Sequence, residues 1–461
     1  MRNALRAMGD ERVDEAKQWL AQGDAAIGAS AWEEARAAFD RVIAALEGSE
    51  RHVALTRAWR GAGCVAGQTG EHERAMFAAE QALACARRSA KRDWIIETLY
   101  TVASLRLRAM QLDDVLRACA EAVALIDSEA APRHMAAFVF LEAKALSNAE
   151  RWLESRQKFE SALSLAERAG DLETAADCKH NLAELADKFD DRPTAHALFT
   201  EVLAFWERRD KPWGQANALN GLADLARHRG DLGAARTLDE RALALHRRAK
   251  NSLGEAATLR HLGMIAIDRG DYAQAANALL RALAIDRARG DRHSVANSLV
   301  SLGNCALMAG RLDEAFEHLS EGRVEAIAAS SFSCEGNAAF MLATVMIERD
   351  QFDEARRLCH EARVAFERSE RTLGLGNVES KLGDVARAMD EPDLAREHFE
   401  TALAHFEQVG HEYSVGNTLE RLSFVARTDG ERTELLLRAR AAFARGHRPD
   451  LVRSMDRALR E

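Results

Sequence analysis

Apolar and small residues return along this chain at a step of forty. From Leu182 the step lands on Leu222, Leu262, Leu302, Leu342, Leu382 and Leu422. The position after each belongs to a small-residue column: Gly23, Gly63, Ala103, Ala143, Ala183, Ala223, Gly263, Gly303, Ala343, Gly383, Ser423. A second column, twelve residues on, runs Ala35, Ala75, Val115, Ser155, Ala195, Ala235, Ala275, Ala315, Ala355, Ala395. A third, seven further, runs from Val42 and Ala82 through Ala242, Ala282 and Gly322 to Ala442. Within one step, apolar positions fall at helical spacing, as at Leu219, Leu222 and Ala226. A glycine turn follows, RGD at 229–231 and 269–271 and AGR at 309–311. Glycine suits the left-handed residue that ends a helix. A second apolar-striped helix comes next, and small residues at the crossing let the two helices approach. One such hairpin cannot bury its own apolar face, whereas stacked copies can. The pattern predicts an all-α solenoid of about eleven forty-residue helix-turn-helix units.

The register sets the expected boundaries. Turns are expected near 30, 70, 110, 150, 190, 230, 270, 310, 350, 390 and 430, in a single array over 1–448. After a shortened helix at about 431–445, HRPDLVRSMDRALRE puts Leu451, Met455 and Leu459 on one stripe opposite charged residues. Residues 449–461 are therefore expected to form a capping helix that completes the array at this end. Units three and four are degenerate, with Val102 and Glu142 in place of leucine and Val115 and Ser155 in place of alanine. SEAAPRHM at 128–135 carries a helix-stopping proline. Gly322 inside a second helix, followed by AASSFSCEG, reads as a tolerated imperfection or, on a sharper reading, as a hinge near 322–333.

These columns resemble the tetratricopeptide repeat. Trp32, Trp152, Tyr272 and Phe352 match its aromatic after the turn glycine, and Phe39, Phe159, Phe199 and Phe399 match its second-helix aromatic. The usual repeat is shorter and carries a proline that is missing here. The forty-residue step is similar to the arrays of kinesin light chains and of bacterial STAND-type regulators, which SVANSLVSLGNCALMAGRLDEA resembles most. The resemblance implies a right-handed superhelix whose first helices line a concave groove and whose role is to bind protein or peptide. A carboxylate clamp of the kind that holds chaperone C-termini is not expected, because the equivalent pairs are Arg60–Cys64 and Arg260–Met264.

Composition agrees and narrows the function. Alanine, leucine, glutamate and arginine dominate, with five prolines and three tyrosines, which favours helix over strand. A net charge of −10 with both signs interspersed offers no basic stripe, so no direct nucleic-acid partner is expected. The N-terminus lacks a signal-peptide core and no apolar run is long enough to span a bilayer, so the expectation is a cytoplasmic protein without a membrane partner. Seven cysteines without a CxxC pair read as reduced core thiols. GAGCVAG at 61–67 matches a dinucleotide fingerprint, yet it lies inside a first helix, and Gly63 belongs to the small-residue column. Cys178 with His180, and Cys359 with His360, lack further ligands at metal spacing. Paired carboxylates such as Glu33–Glu34 and Asp113–Asp114 start second helices and complement the helix dipole. No cofactor, no metal and no enzymatic activity are expected.

The candidate site is the first-helix face. Asn217, Asn297, Asn337, Asn377 and Asn417 form one column, interrupted by Ala257. Asparagine is a mediocre helix former, and its amide matches the N–H and C=O of an extended peptide. The same amides could instead bond the adjacent repeat and fix the stacking. Arg260, Lys381 and Arg421 join the candidates, with Arg227, Arg387 and Arg427 beside Asp224, Asp268, Glu348, Asp384 and Glu420. The mixed signs imply a polar partner of no extreme charge, or a solvated face. Phe340 and Phe424 are the aromatic anchor candidates, with His261 and Met341 near them. The expected function is a regulatory scaffold or adaptor that holds a partner segment in the groove. A structural protein that self-assembles through convex or terminal surfaces is the alternative.

Overall fold

The computed structural model describes the backbone of residues 2–29, 31–69, 71–109, 111–127, 131–189, 191–446 and 448–460, and side chains from residue 14 onward except 68 and 72. The turn positions expected at 30, 70, 110 and 190 lie outside the described residues, as do 128–130. Among the described residues the chain is all α. Its helices are α1 (Arg2–Gly28), α2 (Trp32–Leu46), α3 (His52–Gln68), α4 (His72–Ser89), α5 (Arg92–Arg108), α6 (Leu112–Leu125), α7 (Pro132–Asn148) and α8 (Trp152–Arg168). They continue with α9 (Leu172–Lys188), α10 (Arg192–Arg208), α11 (Pro212–His228), α12 (Leu232–Arg248), α13 (Ser252–Asp268), α14 (Tyr272–Ala288), α15 (Arg292–Met308) and α16 (Leu312–Ala328). The last are α17 (Phe332–Glu348), α18 (Phe352–Arg368), α19 (Thr372–Ala388), α20 (Pro392–Val409), α21 (Glu412–Ser423), α22 (Asp429–Arg445) and α23 (Pro449–Ala458). None is long and apolar enough to cross a membrane among the described residues.

Two compact units divide the chain, one of residues 1–148 and 161–174, the other of 149–160 and 175–461. In the first, α1–α2, α3–α4 and α5–α6 pack as hairpins. In the second, α11–α12 through α21–α22 do the same, and each hairpin packs on the next. Here odd helices from α11 to α17 also touch the next odd helix, while successive even helices make no comparable contact among the described residues. The odd helices therefore form the tighter, inner layer of this unit and the even helices splay outside it. A separate tie runs between distant parts of the same unit. Glu150, in the turn before α8, accepts hydrogen bonds from Arg371 Nε at 3.0 Å and from the Leu373 backbone N–H.

The turns explain why the period holds. Asp231 N–H reaches back to Ala226 O at 2.9 Å and Gly230 N–H to Arg227 O at 2.8 Å, closing α11 with a left-handed residue between. Gly230, Gly270 and Gly310 take that position at φ 80°, 75° and 73°. The same conformation recurs between hairpins, where Asp210, Lys250, Ser330, Glu370 and others adopt it without being glycine. The next residue then caps the following helix. Asp231, Asn251, Asp271 and Asp291 accept from the backbone N–H of Ala234, Gly254, Gln274 and Ser294.

Helices meet where glycine faces an aromatic ring. A Cβ on Gly221 would stand 2.4 Å from the Phe199 ring, on Gly214 2.5 Å from Trp206, and on Gly383 2.5 Å from Phe399. Phe39, Phe159, Phe199 and Phe399, the second-helix aromatics, are all buried.

α16 runs unbroken through Gly322, whose Cβ would lie 3.1 Å from Leu299 Cβ, so close approach to α15 accounts for the glycine as a tolerated imperfection. Two expectations are corrected. Pro132 starts α7 rather than stopping a helix, because a first-turn residue needs no N–H. The shortening near the end falls on α21, of 12 residues, while α22 keeps 17. Beyond it, α23 lays Met455, 1% exposed, with Leu451 and Leu459 on the apolar side of α22.

Candidate binding groove

The first-helix layer of the second unit carries a cavity of about 540 Å³. His180, Glu184, Asp187 and Lys188 enter it from α9, and Phe199 from α10. Asn217, Asn220, Gly221, Asp224, Arg227 and His228 come from α11, and His261 from α13. Helical spacing aligns these residues on α11, since 217, 220, 221, 224 and 228 follow one face. Each imidazole stands beside a carboxylate. His228 Nδ1 is 3.0 Å from Asp187 Oδ2, His180 Nε2 3.4 Å from Glu184 Oε1, and His261 Nδ1 3.9 Å from Asp224 Oδ2. Arg227 reaches Asp268 at 3.2 Å and Asp224 at 3.7 Å. Asn220 Nδ2 donates to Thr258 Oγ1 at 3.0 Å and so links α11 to α13. Burial pushes the His261 imidazole below its ordinary value, against the pull of Asp224.

Beneath this face the apolar columns are broken by ionisable groups. The column of Phe159, Phe199, Leu279 and Phe399 has Asp239 in α12, 1% exposed, with neither carboxylate oxygen bonded. Burial, and then the nearby Asp224 charge, push its carboxyl up to about 8. The buried column of Trp206, Phe366 and Phe406 has His246 and Asp286. Burial lowers the His246 imidazole and raises the Asp286 carboxyl. Buried polar groups where sister repeats use rings weaken the core, so they set α12 and α14 apart in these two columns.

The predicted residues separate into two groups. Asn217, Asn337 and Asn377 are exposed and Asn417 half-buried, and none of these four amides has a hydrogen-bond partner among the described residues. Asn217 lines the cavity. Asn297 is engaged: its Oδ1 accepts from Cys334 Sγ at 3.1 Å and its Nδ2 lies 3.1 Å from His293 Nε2, joining α15 to α17. His293 Nδ1 stands 3.7 Å from the same sulfur and 2.8 Å from Ser331 Oγ. Burial raises the Cys334 thiol, but the hydrogen bond and charge of His293 outweigh it and leave the thiol below its usual value. Arg260 is turned inward, 3.0 Å from the fully buried Asp286 and 3.4 Å from Ser298. Lys381 sits 5.0 Å over the ring of half-buried Phe340. Arg421 donates to Ser380 Oγ at 2.7 Å and pairs with Asp384 at 3.3 Å. Phe424, 65% exposed, stands just beyond α21.

Sequence reasoning weighed His180 only as a metal ligand and passed over Asp187, His228, Asn220 and Asp239. The signal for the last was present: stepping by forty through 159, 199, 279 and 399 exposes one acid among apolar residues.

Two stretches, residues 214–288 and 336–408, match the family model described as tetratricopeptide repeat. No curated protein matches the chain. Among solved structures it is similar to BtubC (BKLC) from P. vanneervenii, 16% identical over 47% of this chain and 91% of that one, with a TM-score of 0.40. A Rap protein complexed with competence and sporulation factor is 12% identical, over 80% of this chain and 98% of that one, at 0.45. The apo form of RapI is 13% identical, over 60% and 98%, at 0.44.

Proposed function

We propose that this chain, whose residues 214–288 and 336–408 match the tetratricopeptide-repeat model, is a non-catalytic regulatory adaptor that holds an extended partner segment along the first-helix face of its second unit. One observation carries the reading: Asn217, Asn337, Asn377 and Asn417 present amides without a partner among the described residues, at one repeat position. An amide that donates and accepts together suits a main chain, and neighbouring side chains then select the sequence. Phe424 supplies an exposed ring at the α21 end, and the cavity on α9–α13 a polar recess at the other.

The test is a random-peptide display selection against the full chain, with affinities of the enriched peptides measured by fluorescence polarisation. The variant Asn337→Ala/Asn377→Ala/Asn417→Ala, shown by circular dichroism to be folded, should lose roughly a hundredfold in affinity, at about 1 kcal/mol per asparagine. Unchanged affinity in this variant would remove the amide row from the binding site. Self-assembly is supported by a different observation, the exposed Val324 and Ile327 on α16 and Val364 on α18. Light scattering that rises with concentration and falls on Val324→Lys would favour it.

A further inference from the structure

We infer that the recess between α9 and α13 receives a cationic side chain, guanidinium or ammonium, of the partner segment, with Asp187 and Asp224 as its acceptors. The inference rests on the peptide-holding role and gives that role its chemistry.

The cations already lining the recess are occupied. Arg227 lies between Asp224 and Asp268, and Lys188 Nζ stands 5.2 Å over the Trp152 ring. The acceptors are not satisfied to the same degree. Asp187 uses Oδ2 on His228, but its buried Oδ1 has no hydrogen-bond partner. Asp224 has Arg227 at 3.7 Å and His261 at 3.9 Å, both beyond hydrogen-bond length. Behind them Asp239 is buried with both oxygens unpartnered, and the charges that act on it are those of Asp224 and Arg227, two groups lining the recess. Its location follows from the repeat register. The Phe199 ring, one repeat earlier, fills the space opposite Gly221, and the same two positions one repeat on are Asp239 and His261. An acid therefore stands where a sister repeat puts a ring, facing a helix that lines the recess.

An anion entering this space would meet the lining carboxylates of Glu184, Asp187 and Asp224. A cation would give the half-exposed Asp224 carboxylate a short, charge-assisted bond, beside Asp187, whose Oδ2 holds His228. A bare metal ion is not the match: among the described residues no three His, Cys, Asp or Glu side chains are placed to hold one. A recess of about 540 Å³ has room for a long side chain with its flanking main chain.

Three probes of one shape decide it: acetyl-arginine N-methylamide, its lysine counterpart and its uncharged citrulline counterpart, titrated into the full chain and followed by ligand-observed NMR. The arginine or lysine compound should bind, the citrulline compound at least tenfold more weakly. Their order separates guanidinium from ammonium. Asp187→Asn/Asp224→Asn should cost at least tenfold for the cationic probe, while Asp384→Asn, at the same repeat position on α19, should leave it unchanged. If the double variant does not fold by circular dichroism, each single substitution is read instead. Equal binding of citrulline, unchanged binding in the Asp187 and Asp224 variants, or no binding of either cation would overturn the inference. Selected peptides that depend on the α17–α21 asparagines but not on Asp187 would leave the peptide-holding role intact while this site fails.

Discussion

Single residues carry two kinds of stored cost. One lies in the turns: Lys250 and Asp350 hold φ of 52° and 57°, a conformation that glycine adopts without the Cβ clash. Both are exposed. Lys250→Gly should stabilise the chain by about 1 kcal/mol in urea unfolding, and Asp350→Gly by less, since Asp tolerates the left-handed region better. The other cost lies in Asp239. Folded, it keeps its proton to about pH 8; unfolded, it releases it near 3.8. Between those values the folded state binds the extra proton, so stability falls as pH rises through that window and levels off above it. Asp239→Asn should flatten this slope and raise the melting temperature at pH 7–8, measured by calorimetry across pH 4–9. A slope unchanged in the variant would place the titrating group elsewhere. The turn glycines at 230, 270 and 310 were readable as turns because glycine is itself the signal. Asp350 falls at a turn that only the register marks, and Lys250 carries no mark at all, since it lies between two hairpins.

Elements are held by ring-into-glycine fits, and these give a paired expectation. Gly221→Ala drives a methyl into the Phe199 ring, so α10 and α11 must separate or the ring must leave its rotamer. Overpacking of this kind costs about 1–3 kcal/mol. Gly233→Ala on α12 meets only Asp231 Oδ1 at 3.7 Å, so helix propensity should dominate and stabilise by up to about 1 kcal/mol. Denaturant midpoints of the two variants should therefore move in opposite directions; a shared direction would mean that packing at 221 yields easily. The small-residue columns were legible as crossing points because contact between helices forces small side chains at a fixed period. Gly322 left two readings open for the same reason: the sequence shows a helix-weakening residue, and only the nearness of Leu299 shows what the glycine allows. Asn297 shows the limit for sites. It shares a column with Asn337 and Asn377, yet bonds Cys334 and His293, because those neighbours occur in only one copy.

For the chain as a whole, the period alone made the all-α repeat fold readable, since each unit needs only its neighbours to bury its apolar face. The recess was not readable, because it draws on α9, α10, α11 and α13 together and depends on which carboxylates find partners across helices. Neighbour-only packing also governs how damage spreads. Met455 on α23 is buried against Phe443, Leu436 and the rest of the last cluster. Met455→Ala should cost about 2–5 kcal/mol, from lost burial plus the cavity left behind. In a stack whose stability is a sum of unit and interface contributions, that loss stays near its origin. Hydrogen exchange should show protection falling in α21, α22 and α23 while amides of α11–α13 keep theirs. Protection lost evenly from α11 to α23 would instead mean that the second unit opens as one cooperative body. A ligand seated on α11–α13 would then also protect α23, some two hundred residues away along the chain.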